Sequence, residues 1–343
     1  MTVGEVRAAL APLGWDEHRE GEMRALGAGL VPGRVVRVDR GGGVVATPEG
    51  TTPVTGAGLA AGDWVAVRDG RVAAVLTRRT AIARRAAGRA DAEQVMAANV
   101  DVVIAVQALD RPLRVRRLHR ALAIGWDAGA RPVVALTKAD LGVPDETAAE
   151  VAGLGIDAVA VSARTGAGIE DVAAMARPAR TLVLLGESGA GKSTLTNALL
   201  GGEVLATGAV REGDGKGRHT TTARHLVALP GGGALIDTPG VRELGLWADE
   251  RGVAATFADV ADLAPSCRFP DCRHETEPGC AVLEAVAAGA LPEERLASYR
   301  DLMREAAAME RRADERSQRA HGRTGSRMAR EAQRAKRGRG RRR

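Results

Sequence analysis

Gly186-Glu187-Ser188-Gly189-Ala190-Gly191-Lys192-Ser193-Thr194 is the stretch that decides the fold. The apolar run Thr181 to Leu185 precedes it, and Leu195 to Leu200 reads as the first turns of a helix. Strand, glycine loop and helix, in that order, are the context of a phosphate-binding P-loop. Gly186, Gly189 and Gly191 remove side chains, so backbone N–H groups can close around phosphate oxygens. The helix N-terminus behind the loop adds partial positive charge. Lys192 is placed to reach the β- and γ-phosphates, and the Ser193 hydroxyl to take one position on Mg²⁺. The loop specifies a nucleoside triphosphate. It does not specify the base, or what the energy is used for.

The chain around this loop has 343 residues, which calls for two or three domains. It is 45% hydrophobic and 27% charged, a globular profile, and its formal charge of +6 favours an anionic partner. No uncharged apolar run is long enough to span a bilayer, and the N-terminus lacks a signal-peptide pattern, so no membrane partner and a cytoplasmic location are expected. Nothing in the pattern calls for an obligate oligomer, and a monomer is expected. Aromatic residues make up only 2%, which limits base stacking as a way to hold nucleic acid.

Working outward, residues 1–30 form a lead segment, read as loosely attached. Residues 31–80 look like a small β-barrel of the OB type. Gly33 to Val38 alternates, Val44 to Ala46 returns, and Gly62 to Val67 and Arg71 to Leu76 flank an Asp69-Gly70 hairpin signal. Trp64 fits a barrel-core residue better than a stacking platform. Any RNA contact from this barrel would fall to Arg34, Arg37, Arg40 and Arg68, through phosphates. Arg78 to Arg89 reads as a basic linker. Residues 81–248 then alternate buried strands with helices: Val102 to Val106, Pro132 to Leu136, Ala158 to Val161, the strand before the P-loop, and Ala234 to Asp237. That texture means a parallel α/β sheet. Residues 249–310 read as helical around one irregular island. Residues 311–343 read as a basic, disordered tail.

Three short motifs point to guanine. Thr137-Lys138-Ala139-Asp140 follows a buried strand. Asp140 can accept two hydrogen bonds from guanine N1 and N2, which adenine does not offer, so discrimination of about 10⁴ is attainable. The Lys138 stem can cover the base. Ser162-Ala163 can place backbone near guanine O6. Asp237-Thr238-Pro239-Gly240 supplies a carboxylate on the Mg²⁺ side and a glycine where the backbone approaches the γ-phosphate. Each motif is weak alone; together, beside a full P-loop, they favour GTP over ATP. Their order is unusual, because the base-reading motifs precede the P-loop.

In the irregular island, Cys267-x₄-Cys272-x-His274-x₅-Cys280 holds all three cysteines of the protein. Three thiolates and one imidazole suit a closed, structural tetrahedral Zn²⁺ site. Binding of that kind contributes ~10–16 kcal/mol, enough to organise a segment poor in large apolar residues.

In its permuted motif order, the chain resembles the RsgA (YjeQ) family of circularly permuted GTPases of small-ribosomal-subunit biogenesis. The resemblance covers about residues 31 to 300. It also rests on the barrel, Gln94 to Asp101, Gly217-Arg218-His219-Thr220-Thr221-Thr222, Asp237 to Glu243 and the cysteine island. It implies a permuted P-loop GTPase domain between an OB-type barrel and a mostly helical zinc-binding domain. It further implies a weak GTPase that binds the immature or late 30S subunit and 16S rRNA, is stimulated by it, and releases GDP and phosphate. His219 is the catalytic candidate it offers, beside Thr220 and Thr221 as sensors of Mg²⁺ and γ-phosphate and with Lys192 on the phosphates. Val241 stands where many GTPases carry a water-orienting glutamine, so unaided turnover is expected to be slow. One departure is Thr137, where the family usually has Asn; weaker or differently arranged base contacts are expected. The basic tail fits rRNA phosphates. Two other readings stay open: an RNA-binding module or RNA chaperone whose nucleotide is mainly structural, and a P-loop small-molecule kinase, which leaves the base-reading motifs unexplained.

Overall fold

The computed structural model describes residues 2–85, 93–153, 156–202, 225–237 and 248–311. They fall in two compact units, one of Met1–Arg84 with Gln94–Asp262 and one of Arg85–Glu93 with Leu263–Arg343.

The first unit opens on two helices, α1 (Val3–Leu10) and α2 (Glu17–Leu26). Thr2 and Glu5 cap α1 reciprocally, and the Asp16 carboxylate caps α2 by accepting from the Arg19 amide. Leu10 and Trp15 are buried, and the Trp15 ring meets Trp64 edge-on at 5.1 Å. The lead segment is therefore packed and capped, contrary to the expectation of a loose attachment. Its charged residues hid two short apolar anchors.

Five strands follow: β1 (Val31–Asp39), β2 (Gly42–Thr47), β3 (Gly50–Thr55), β4 (Trp64–Arg68) and β5 (Arg71–Val75). They run in the order β1-β2-β3-β5-β4, and β4 returns to pair with β1. That closure makes the OB-type barrel. Val35, Val45, Val54, Leu59, Val65 and Val67 fill it. Asp69 and Gly70 both have positive φ, the geometry a two-residue hairpin needs. Within the stretch read as a basic linker, β6 (Ala81–Arg85) forms instead, and it pairs with β7 (Glu93–Ala98).

The nucleotide-type sheet comprises β8 (Val102–Ala108), β9 (Arg131–Thr137), β10 (Ala158–Val161), β11 (Thr181–Gly186), β12 (His225–Ala228) and β13 (Ala234–Asp237). Its order is β10-β9-β8-β11-β13-β12, all parallel except β12. Five helices accompany it: α3 (Val115–Asp127), α4 (Pro144–Ala152), α5 (Ile169–Met175), α6 (Lys192–Leu200) and α7 (Glu250–Thr256). Val102, Ile104 and Val106 share one face of β8 and pack with Val172 of α5 and Leu195 of α6. Val103 lies on the other face, where Gly125 of α3 approaches so closely that a Cβ would stand 3.3 Å away. The barrel joins this sheet edge to edge through the antiparallel pair Arg37 and His225, so eleven strands form one continuous sheet.

After α8 (Ala258–Leu263), the second unit holds the cysteine island, α9 (Ala281–Ala287) and a helix over residues 293–311. No helix among the described residues is long and apolar enough to cross a membrane.

Candidate nucleotide site

Chain order fixes where a ligand can sit. From β8 the sheet grows one way through β9 and β10, and the chain then crosses back to place β11 on the other side of β8. The crevice beyond the carboxyl ends of β8 and β11 is a topological switch point, the usual ligand position in open α/β sheets. The P-loop begins there. Gly186 has φ +153°, and a Cβ on it would stand 2.5 Å from the Val106 carbonyl, so only glycine lets the loop leave the sheet at that point. Gly191, at φ +89°, caps α6 and turns the loop into the helix. The Lys192 ammonium donates to the carbonyls of Gly186 (2.6 Å) and Glu187 (2.5 Å), which keeps it at the loop. Ser188, Gly189, Ala190, Ser193 and Thr194 complete the turn and the first residues of α6.

The base-reading motifs arrive at the same edge because β9 and β10 are parallel to β11. Thr137 ends β9 and is buried. Its hydroxyl donates to the Ala190 carbonyl of the P-loop at 2.6 Å and lies 3.3 Å from the Gln107 carbonyl at the end of β8. The hydroxyl thus ties three strand ends together. Lys138 takes φ +58°, and its ammonium pairs with Asp110 at 2.5 Å. Ala139 donates its amide to the Val161 carbonyl, locking this loop to β10. Asp140 accepts from the buried Ser162 hydroxyl at 2.6 Å and pairs with Arg164 at 3.1 Å. The Ser162 hydroxyl, with Arg164 adding to it, holds the Asp140 carboxyl below the ordinary carboxylate range. A charged acceptor fixed in this way suits the N1–H and N2–H edge of guanine. Ala163 follows Ser162 in the same turn.

Sequence reasoning missed a second layer. Asp110 and Arg111 follow the end of β8 after Leu109. Asp110 holds Lys138, while Arg111 donates to the Gly189 carbonyl at 3.4 Å and stands 3.7 Å from the Glu187 carboxylate. Arg114 (4.0 Å) and Arg117 also reach Glu187. The P-loop therefore lies beside a cluster of arginines, with Glu187 as their counter-ion. The available signal was position alone: these residues end a buried parallel strand on the ligand edge. Arg164 was equally absent from the reading, although it adjoins Ser162-Ala163.

A family model described as RsgA GTPase matches residues 75–247. The small ribosomal subunit biogenesis GTPase RsgA of Streptomyces coelicolor is 46% identical over 323 residues, covering 87% of this chain and 87% of that protein. Its counterpart in Opitutus terrae is 44% identical over 337 residues, covering 89% and 92%. This chain belongs to the RsgA GTPase family. The crystal structure of YjeQ from Thermotoga maritima superposes with a TM-score of 0.60 at 26% identity, covering 81% of this chain and 98% of that one. The fold is shared as well with YloQ, described as a circularly permuted GTPase, with a TM-score of 0.60 at 22% identity. As an RsgA GTPase, the chain is a circularly permuted P-loop GTP hydrolase with an OB-type barrel before the nucleotide domain.

Other residues singled out in this RsgA-family chain fall elsewhere. Asp237 ends β13, at the same sheet edge as the P-loop. His219, Thr220, Thr221 and Gly240 lie outside the described residues, as do Val241 to Trp247 and residues 312–343. The cysteine island forms one cluster: the ligand atoms of Cys267, Cys272, His274 and Cys280 all lie within 4.8 Å of one another. Cys267 and Cys280 sulfurs are 3.8 Å apart, and His274 Nδ1 lies 3.6 and 3.4 Å from them. Bonds of ~2.3 Å to sulfur and ~2.0 Å to nitrogen at tetrahedral angles require edges of about 3.8 and about 3.5 Å, so Cys267, His274 and Cys280 match three corners of a zinc-sized site, with Cys272 in the same cluster. Glu277 wires the intervening loop by accepting the amides of Arg273, Glu275 and Thr276, and those bonds pull its carboxyl down to about 2.

One barrel expectation fails. Arg34 is 1% exposed and donates to protein carbonyls, so it does not face RNA. Arg37 pairs with Asp39, Arg68 donates to the Ala28 and Gly29 carbonyls, and Trp64 is a core residue.

Proposed function

We propose that this chain hydrolyses GTP in the late assembly of the small ribosomal subunit, binding 16S rRNA and turning over when the 30S particle engages it. The observation that carries this reading is the convergence of P-loop, Thr137 to Asp140 and Ser162-Ala163 on one sheet edge, in a chain 44–46% identical to small-subunit biogenesis GTPases over most of both lengths. Gly186 to Thr194 hold the phosphates, Asp140 reads guanine and Ser193 with Asp237 holds Mg²⁺. Thr220, Thr221 and Gly240 sense the γ-phosphate, and His219 orients the attacking water. The Cys₃His set holds one structural Zn²⁺. Arg37 and Arg40 of the barrel and the arginines after residue 311 contact rRNA phosphates, so binding weakens steeply with salt. The protein acts as a monomer in the cytoplasm.

The test is GTP turnover with no ribosome, with 30S and with 50S subunits. Stimulation by 30S alone is expected, and His219→Ala should lower stimulated turnover much more than GTP binding. Equal turnover in all three arms would overturn the assembly role in favour of an RNA-binding protein with a structural nucleotide.

A further inference from the structure

A cavity of about 240 Å³ lies at the opposite edge of the nucleotide sheet, where the lead helices and the barrel meet the foot of β11. Its lining includes Trp64, Arg19, Arg34, Arg79 and Thr181, the first residue of β11; the P-loop is at that strand's other end. The electrostatics are unbalanced. Arg34 is fully buried, yet among the described residues its guanidinium donates only to neutral acceptors: the carbonyls of Leu13, Gly62 (3.3 Å) and Asn99 (3.2 Å) and the Thr181 hydroxyl (2.7 Å). Burial, then repulsion from Arg19, pushes Arg34 down to about 9. Arg19, 6% exposed, pairs with Asp16 at 2.8 Å, but Arg79 shares that carboxylate at 2.7 Å. Asp101 accepts from the Thr181 amide. Arg19 and Arg79 thus share one carboxylate and Arg34 contacts none among the described residues, with Asp101 of the cavity lining and Asp63 acting on it only from a distance.

Donors are also in surplus. Arg19 Nε and Trp64 Nε1 are buried and meet no acceptor among the described residues, although both residues line the cavity. Both guanidiniums lie against the same indole, 5.3 and 5.2 Å from its centroid. A buried donor without a partner costs ~1–3 kcal/mol, and a buried cation without an anion costs more, so such a site favours an occupant that supplies both acceptor atoms and negative charge. The volume is below the roughly 300–1,000 Å³ of pockets that take drug-sized ligands.

We propose that this cavity binds a small free oxyanion of the phosphate type, held by Arg19, Arg34, Arg79 and the Trp64 indole N–H. The site is separate from the nucleotide site and independent of the ribosomal reading.

The experiment uses the full chain saturated with GDP and Mg²⁺, so that the P-loop is filled. Potassium phosphate is titrated against potassium chloride at equal ionic strength, with tryptophan fluorescence and thermal melting as readouts. Phosphate is expected to give a saturable change, weakened at least tenfold in Arg19→Gln. Should that variant not fold, Arg79→Gln, at the half-exposed mouth, should still weaken phosphate several-fold. A non-saturable response, unchanged affinity in either folded variant, or water alone in the cavity of a phosphate-soaked crystal overturns the proposal. Displacement of phosphate from this site by a short single-stranded RNA would replace the free anion by a backbone phosphate and overturn it as stated.

Discussion

Thr137→Val isolates the contact that distinguishes this chain at its base-reading motif. Valine keeps the shape and removes the hydroxyl. In the native protein that hydroxyl donates to the Ala190 carbonyl at 2.6 Å, in a site where Thr137 is 5% exposed and Ala190 2% exposed. Water cannot easily replace the lost donor, so the carbonyl is left short of a partner at a cost of ~1–3 kcal/mol. The cost divides between two observables. If the free P-loop keeps its shape, the loss appears as stability, a fall of ~2–4 °C in Tm for each kcal/mol in a domain of this size. If the free loop relaxes and nucleotide must restore it, the loss appears as affinity, with GDP and GTP weakened together by ~5- to ~150-fold at the limits.

The two measurements should account between them for at least ~1 kcal/mol. Calorimetric binding of GDP and a thermal melt of the free protein check this. Selectivity gives the sharper criterion. Because Thr137 reaches the P-loop and Asp140 is the residue proposed to read the base, guanine preference over adenine should stay unchanged in the variant. Unchanged Tm with GDP affinity within twofold of native would show that the bridge is inert. A change in base preference would place Thr137 on the base and refute the geometry described above.

Asp140→Asn should weaken GTP at least ~100-fold and raise affinity for xanthosine triphosphate, because the amide now presents a donor where guanine presents N–H groups; competition binding reads both. Removing metal with a chelator should unfold the second unit while the nucleotide unit still binds GDP, checked by proteolysis from Leu263 onward together with GDP titration. Asp127, against Asp249 at the start of α7, has its carboxyl raised to about 7 by burial and by the facing carboxylate, while Asp249, despite its partial burial, is held below the ordinary carboxylate range by its hydrogen bond with Asp127, then by the Gly252 amide and the Arg251 guanidinium. The folded state therefore holds a proton that the unfolded chain releases near pH 4, so this pair loses stability as pH rises from about 4 to about 7. Asp127→Asn should flatten that slope and gain ~1 kcal/mol above pH 8, a discounted figure because the residue keeps a solvent-exposed flank while its carboxyl is crowded by Asp249; denaturant melts across pH 5–8 that run parallel to wild type would refute it.

The parts of the site carried by local pattern were legible in the residues. Continuous apolar runs read as strands buried on both faces, and the loops ending them carried the P-loop, Asp140 and Ser162 motifs to one edge once the strands were parallel. The Cys₃His cluster was legible for the same reason: four ligands in fourteen residues need no long-range information. What escaped depends on a second layer. Arg34 sits in β1, whose residues 32–35 are all buried because the barrel interior covers one face and the lead helices the other. Alternation in a strand says that faces differ; it does not say that both are covered. β3 escaped because Pro53 argues against a strand and Val54 alone gives no apolar alternation, yet Pro53 lies opposite Val44 without disturbing the ladder between β2 and β3. Asp110, Arg111 and Arg164 gain their meaning only from the strand ends they meet in space.

Permutation also gives the barrel a direct mechanical relation to the nucleotide. In the sheet, β12 lies between β13, which ends at Asp237 on the ligand edge, and β1 of the barrel. The chain reaches β12 from the P-loop helix α6 through the segment that holds His219 to Thr221, and its first residue, His225, is the one that pairs with Arg37. A change that shifts β12 must either break that barrel pairing or carry β1 with it. On the other side of the same strand, Arg34 bonds Thr181 at the foot of β11, the strand whose far end is the P-loop. The barrel is therefore joined both to the exit of the segment after α6 and to the root of the P-loop strand. A partner that grips the barrel bears on β12 and on the foot of the P-loop strand, contacts that a barrel hung on a free linker would lack.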